Sequence, residues 1–137
     1  MRKLAVLVGT LIVLAPATTA GAAGGRKPPP FPPLPAGATH AEINVKIAGE
    51  VHTLILDRGR IVLVGPRNML LHESDGTNVV VPLSPDTIIQ PAGLGLTVYD
   101  LRRGMNVDAM RIDDGAAVRV RIRGRAAFKA SRLALAP

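Results

Sequence analysis

The side chains of this 137-residue sequence that could do chemistry are of few kinds: 3 histidines, 10 carboxylates and 17 Lys and Arg, with no cysteine. The lack of cysteine excludes disulfides, thiolate metal sites, a catalytic thiol and a lipid-anchoring cysteine. His40, His52 and His72 fall on separate segments with no i, i+4 pair, so their spacing spells no metal site, although His52 and His72 could meet across strands. Asp113-Asp114-Gly115 and Ser74-Asp75-Gly76 have the composition of hairpin turns and too few ligands for a calcium loop. Gly93-Leu94-Gly95 lacks the third glycine and the strand–helix setting of a nucleotide fingerprint. Ser74, Ser84 and Ser131 stand in no nucleophile motif. We therefore expect no catalytic residue, no cofactor and no bound metal.

Positive charge is the remaining chemical feature. No acid occurs from Ala116 to Pro137, where Arg119, Arg121, Arg123, Arg125, Lys129 and Arg132 all lie. Such a set suits non-specific contact with a polyanion: wall polymer, anionic lipid headgroups or nucleic acid. The alternative for the same residues is a solvated outer face with surface pairs such as Asp108–Arg121, worth about 0–1 kcal/mol each. Base-specific recognition is not expected. The span Ala41–Arg123 holds all ten acids and ten of the basic residues, so it is formally neutral. Stacking on bases would have to rely on Tyr99, with Phe128 in the tail.

The elements that must position these residues begin after an address segment. Arg2 and Lys3 precede an apolar run, Leu4–Leu14, followed by Pro16 and the small residues Ala17–Ala22. This is the three-part plan of a secretory signal, with cleavage after Ala22 or Ala20. The run of about 11 residues is short of the roughly 20 that a helix needs to cross a bilayer. Removing Met1–Ala22 takes Arg2 and Lys3 away, so the chain's +7 falls to +5. The expected destination is extracytoplasmic, secreted or at the cell envelope, with no transmembrane segment in the mature chain.

Residues 23–40 read as a tether. Six of the eight residues Pro28–Pro35 are proline, which favours extended polyproline II and cannot build a core. A semi-rigid spacer is expected; a ligand for a proline-reading partner is the alternative.

Residues 41–124 read as a domain of strands. Ile43, Val45 and Ile47 alternate with Glu42, Asn44 and Lys46, turn at Ala48-Gly49-Glu50 and return along Val51–Asp57. Arg58-Gly59-Arg60 marks a bulge or turn before Ile61–Val64. Met69–Glu73 and Asn78–Leu83 flank Ser74-Asp75-Gly76; a three-residue loop with Gly76 left-handed sets Leu71 opposite Val79, Met69 opposite Val81, and His72 toward solvent. Ser84–Gly95 is turn-rich. Thr97 and Asp100 have capping-box spacing, and Gly104 suits a helix end, so a short helix is expected over Val98–Arg103. Met105–Arg111 and Ala116–Arg123 form a last hairpin, in which a two-residue Asp114-Gly115 turn pairs Ala109 with Val120, Val107 with Ile122 and Asp108 with Arg121, and a four-residue turn sets Asp108 against Arg119 instead. Val118, Val120 and Ile122 are expected inward and Arg119, Arg121 and Arg123 outward. The tail 125–137 alternates between helical and strand-like spacing and stays open.

The order of three strands, a helical connection and a hairpin predicts an all-β fold. It is that of a small OB-like closed barrel with an extra N-terminal hairpin over Ile43–Leu56 and one short helix near Val98–Arg103. Asp57-Arg58-Gly59-Arg60-Ile61, Glu73-Ser74-Asp75-Gly76-Thr77, Asp86-Thr87-Ile88 and Asp100-Leu101-Arg102-Arg103-Gly104-Met105 also fall in the order and spacing of a family of small exported bacterial barrels. From about Val51 to Arg123 the chain resembles the family catalogued as domain of unknown function 5666, in its actinobacterial type. That resemblance implies an OB-like barrel in an extracytoplasmic protein and no catalytic residue. The N-terminal hairpin and basic tail depart from it. The expected function is an exported, non-catalytic binding or structural module; the alternative is polyanion binding through the last strand and tail.

Overall fold

The computed structural model of the protein describes residues 28–124. The expected leader Met1–Ala22, residues 23–27 of the tether and the tail Arg125–Pro137, with Arg125, Lys129 and Arg132, lie outside the described residues.

Seven strands form one sheet: β1 (His40–Ile47), β2 (Glu50–Val64), β3 (Asn68–His72), β4 (Asn78–Pro82), β5 (Ile88–Gln90), β6 (Asn106–Ile112) and β7 (Ala117–Ile122). β2 is the spine. Its first half pairs with β1, its second half with β3, and β6 pairs along Leu54–Arg60 from its other edge. β1 reverses into β2 through Ala48 and Gly49, both at positive φ, the geometry that matches the twist of a two-residue hairpin. Arg58-Gly59-Arg60 does not break the strand, contrary to expectation; the bulge falls between Ile61 and Leu63. An added Cβ at Gly59 would lie 2.8 Å from the His72 carbonyl oxygen, so this glycine is where β3 crosses close over the spine.

The two hairpin registers follow the turn arguments. Met69 faces Val81 and Leu71 faces Val79, with Gly76 at φ +93° and His72 exposed. Val107 faces Ile122, Asp108 faces Arg121 and Ala109 faces Val120. The second hairpin carries one feature that turn chemistry does not predict. A register shift between Met110 and Arg111 lets Ala117 enter the core beside Val120 and Ile122, while Val118 packs on the opposite face. The inward row is therefore Ala117, Val120 and Ile122 in place of the expected Val118, Val120 and Ile122, because Val118 lies on the other face.

Two other expectations are corrected. The helix shrinks to one 3-10 turn, Val98–Asp100, in which the Asp100 carboxylate accepts hydrogen bonds from the Thr97 N–H (2.8 Å) and hydroxyl (2.9 Å). Leu101 turns extended at once and reaches the core at 1% exposure, so burying that side chain wins over a second helical turn. The turn-rich stretch also contains β5, which pairs in parallel with β7.

The strand path runs β4-β3-β2-β6-β7-β5 and is open: among the described residues no ladder joins β4 to β5, so hydrogen bonding does not close the expected barrel. β4 ends at Pro82, which has no N–H to donate, and a Ser84–Thr87 turn follows. The main core nevertheless draws on both ends of the path. Val81 of β4 and Ile89 of β5 share one cluster with Ile61, Met69, Leu71, Leu101 and Val107.

A second cluster lies on the other side of the sheet. Leu54, Leu56 and Met110 pack there against Leu34, with Phe31, Val45 and Val118 at the margin. Residues 28–38 thus lie on the sheet; they do not stand off it as a free spacer would.

Candidate functional site

Side-chain alternation along β2 sends charged groups to both faces. Leu54, Leu56 and Arg58 point to the face covered by Phe31 and Leu34, whereas Asp57 and Ile61 point to the main core.

On the covered face the centre is Asp108, 1% exposed. Its carboxylate accepts from Arg58 Nε (2.8 Å) and from Arg121 Nη2 (2.8 Å) and Nε (3.2 Å), with Arg123 Nε at 3.8 Å. Burial works against the charged form, but the Arg58 and Arg121 hydrogen bonds outweigh it and hold the Asp108 carboxyl below the ordinary range. Phe31 covers the Arg121 guanidinium at 4.7 Å. Arg119, 6% exposed, donates through Nε to the Pro29 carbonyl (3.0 Å) and through Nη2 to the Pro28 carbonyl (2.7 Å). Of the candidate polyanion-binding residues, Arg119 and Arg121 are therefore committed to the proline segment and to Asp108. Arg123 stays half-exposed at the rim of this cluster.

Arg123 also borders an open cavity of about 390 Å³, together with Arg58, Arg60, His72, Ser74 and Asn106. Arg60 is exposed and forms no ion pair among the described residues. Gly59 and Gly76 keep the walls low, and Glu73 borders the same space.

Glu73 belongs to a second, buried constellation. His40 stands directly opposite Asp57 in the β1–β2 ladder, and its Nδ1 lies 2.8 Å from Asp57 Oδ1. Arg111 Nη2 donates to Asp57 Oδ2 at 3.0 Å. Glu73, 2% exposed just past the end of β3, brings a carboxylate oxygen to within 4.8 Å of the His40 and Asp57 atoms. Burial, then the charges of Asp57 and Asp75, pushes the Glu73 carboxyl up. The hydrogen bond to Asp57 outweighs burial and pushes His40 up. Glu73 Oε1 and Arg111 Nε are buried without a hydrogen-bond partner.

Sequence spacing did not group these residues, because His40, Asp57, Glu73 and Arg111 come from four segments. One signal was present. Asp57 has the parity of Ile55 and Ile61 within one strand, and an acid on an inward row is a residue to question. His52 is separate, with Nδ1 2.8 Å from the exposed Asp113 carboxylate, and His72 meets Asn78 at 2.9 Å, so the two rings do not converge.

No protein-family model, curated protein or solved structure matches the chain. Among the described residues no helix is long and apolar enough to cross a membrane.

Proposed function

We propose that the protein is an exported, non-catalytic β-module that binds an anionic group at the cavity bordered by Arg58, Arg60 and Arg123. The supporting observation is the disposition of cations. Arg119 and Arg121 are spent on internal partners, while Arg60 has no carboxylate partner among the described residues and sits with Arg123, His72 and Asn106 around one open space. The Arg60 and half-exposed Arg123 guanidiniums, a ring and a side-chain amide suit phosphate or carboxylate groups of an envelope polymer, since guanidinium forks match such oxyanions, while Arg58 stays committed to Asp108. Residues Arg125, Lys129 and Arg132 extend the same chemistry along the chain in this proposal. The OB-like barrel of the family catalogued as domain of unknown function 5666 is the matching fold reading, supported by the single core shared by β4 and β5. Localisation outside the cytoplasm rests on the pattern of Met1–Ala22.

The test is a salt-titrated panel of polyphosphate, anionic vesicles and DNA against the whole protein and two variants. One variant is Arg60→Ala with Arg123→Ala; the other neutralises Arg125, Lys129 and Arg132. Polyphosphate binding is expected at low salt and should weaken several-fold in the first variant. Absence of binding to all three probes at low salt overturns the anion reading and leaves a structural module.

A further inference from the structure

We infer that His40, Asp57 and Glu73 form a binding site for one divalent transition-metal ion at the inner end of the β1–β2 hairpin. The inference is independent of the anion-binding reading, because its ligands are the buried acids and His40 rather than the arginines.

The ligand atoms come from three different elements yet lie within 4.8 Å of one another. Two of them, His40 Nδ1 and Asp57 Oδ1, are joined by a 2.8 Å hydrogen bond, which an ion with bonds of about 2.0–2.2 Å would replace by opening the pair by several tenths of an ångström. Glu73 supplies the third ligand atom. Its Oε1 is the independent observation: a buried carboxylate oxygen without a hydrogen-bond partner, on a residue only 2% exposed. Such an atom is expensive to leave bare, and a bound cation satisfies it.

The surrounding groups are arranged as supports of metal ligands usually are. Arg111 holds the other oxygen of Asp57 at 3.0 Å, which fixes the carboxylate plane and leaves Oδ1 to face His40. The second ring nitrogen of His40, Nε2, faces the exposed Glu42 carboxylate at 3.5 Å, while Nδ1 faces Asp57 and is the nitrogen placed to bind an ion. Charge agrees as well. Two buried carboxylates, Asp57 and Glu73, face one guanidinium, that of Arg111, and a divalent cation would offset the excess negative charge. One imidazole and two carboxylates suit zinc or manganese; calcium and magnesium prefer oxygen throughout. His40 is half-exposed, which gives the ion an entry path.

The chelator-stripped whole protein should be titrated calorimetrically with zinc, manganese and magnesium ions. One zinc or manganese ion per chain is expected, with a rise in melting temperature and little response to magnesium. His40→Ala and Glu73→Gln should each weaken binding at least tenfold. His52→Ala should bind normally, since that ring meets Asp113 elsewhere. His40→Ala removes a half-exposed ring, so it remains informative even where Glu73→Gln fails to fold. No zinc or manganese binding, or binding of equal strength in His40→Ala, overturns the inference and leaves Glu73 as a buried acid without a ligand.

Discussion

At the scale of single residues, Asp108 is the most consequential charge. It sits buried between two guanidiniums, so removing it leaves Arg58 and Arg121 poorly compensated beneath Phe31. Asp108→Asn should lower stability by about 2–3 kcal/mol, measured by urea unfolding at neutral pH. The pH dependence has a definite sign. A carboxyl held below its unfolded value contributes stability above the ordinary aspartate range and loses it as pH falls through the folded value. The gap between wild type and Asp108→Asn should therefore shrink in acid; a gap of constant size from pH 7 to pH 3 would contradict this assignment. Gly59 makes a separate prediction. A methyl group there meets backbone, not a yielding side chain, so Gly59→Ala should cost about 1–3 kcal/mol in the same assay. That Asp108 would meet an arginine of β7 was legible from the alternation of Arg119 and Arg121; that the partner is Arg121 was settled by the hairpin together with its register shift between Met110 and Arg111. The pair's burial was not legible: the cover is Phe31 and the prolines, some ninety residues away along the chain.

At the scale of elements, the proline segment is the surprise. Composition correctly excludes it from building a core of its own, since polyproline II has no internal hydrogen bonds. Composition is silent on whether another element accepts it. Here Arg119 supplies two donors to otherwise unpaired proline carbonyls, and Leu34 fills a slot over Leu54, Leu56 and Met110. Leu34→Ala should lower stability by about 2 kcal/mol, at the lower end for a buried leucine because its own segment covers the sheet only thinly and leaves it 9% exposed. Arg119→Ala should expose residues 28–38 to protease sooner than it unfolds the strands. Cleavage of both together would mean that segment and sheet are one cooperative unit. The bulge opposite Val118 belongs with this docking, since it turns an apolar side chain toward the segment that covers it. Strict alternation in the sequence cannot reveal such a shift, because one extra residue reverses the parity of everything beyond it.

At the scale of the whole molecule, the sheet has apolar material on both faces and needs both covered. Deleting residues 28–38 should bare Leu54, Leu56 and Met110, lower the melting temperature and promote self-association, seen by light scattering. A deletion that stays monomeric with an unchanged melting temperature would show that the cover is incidental. The sequence by itself determined the all-β class, the register of the Met69–Leu83 hairpin and the capped turn at Thr97. These depend on neighbours a few residues apart, where side-chain period and turn geometry leave little choice. The tertiary structure alone decided which acids are buried, which arginines are spent on internal partners, that β5 joins β7, and that the strand path stays open. Each of those outcomes depends on distant segments competing for the same surface and the same hydrogen-bond donors, and that competition is resolved only when the whole chain packs.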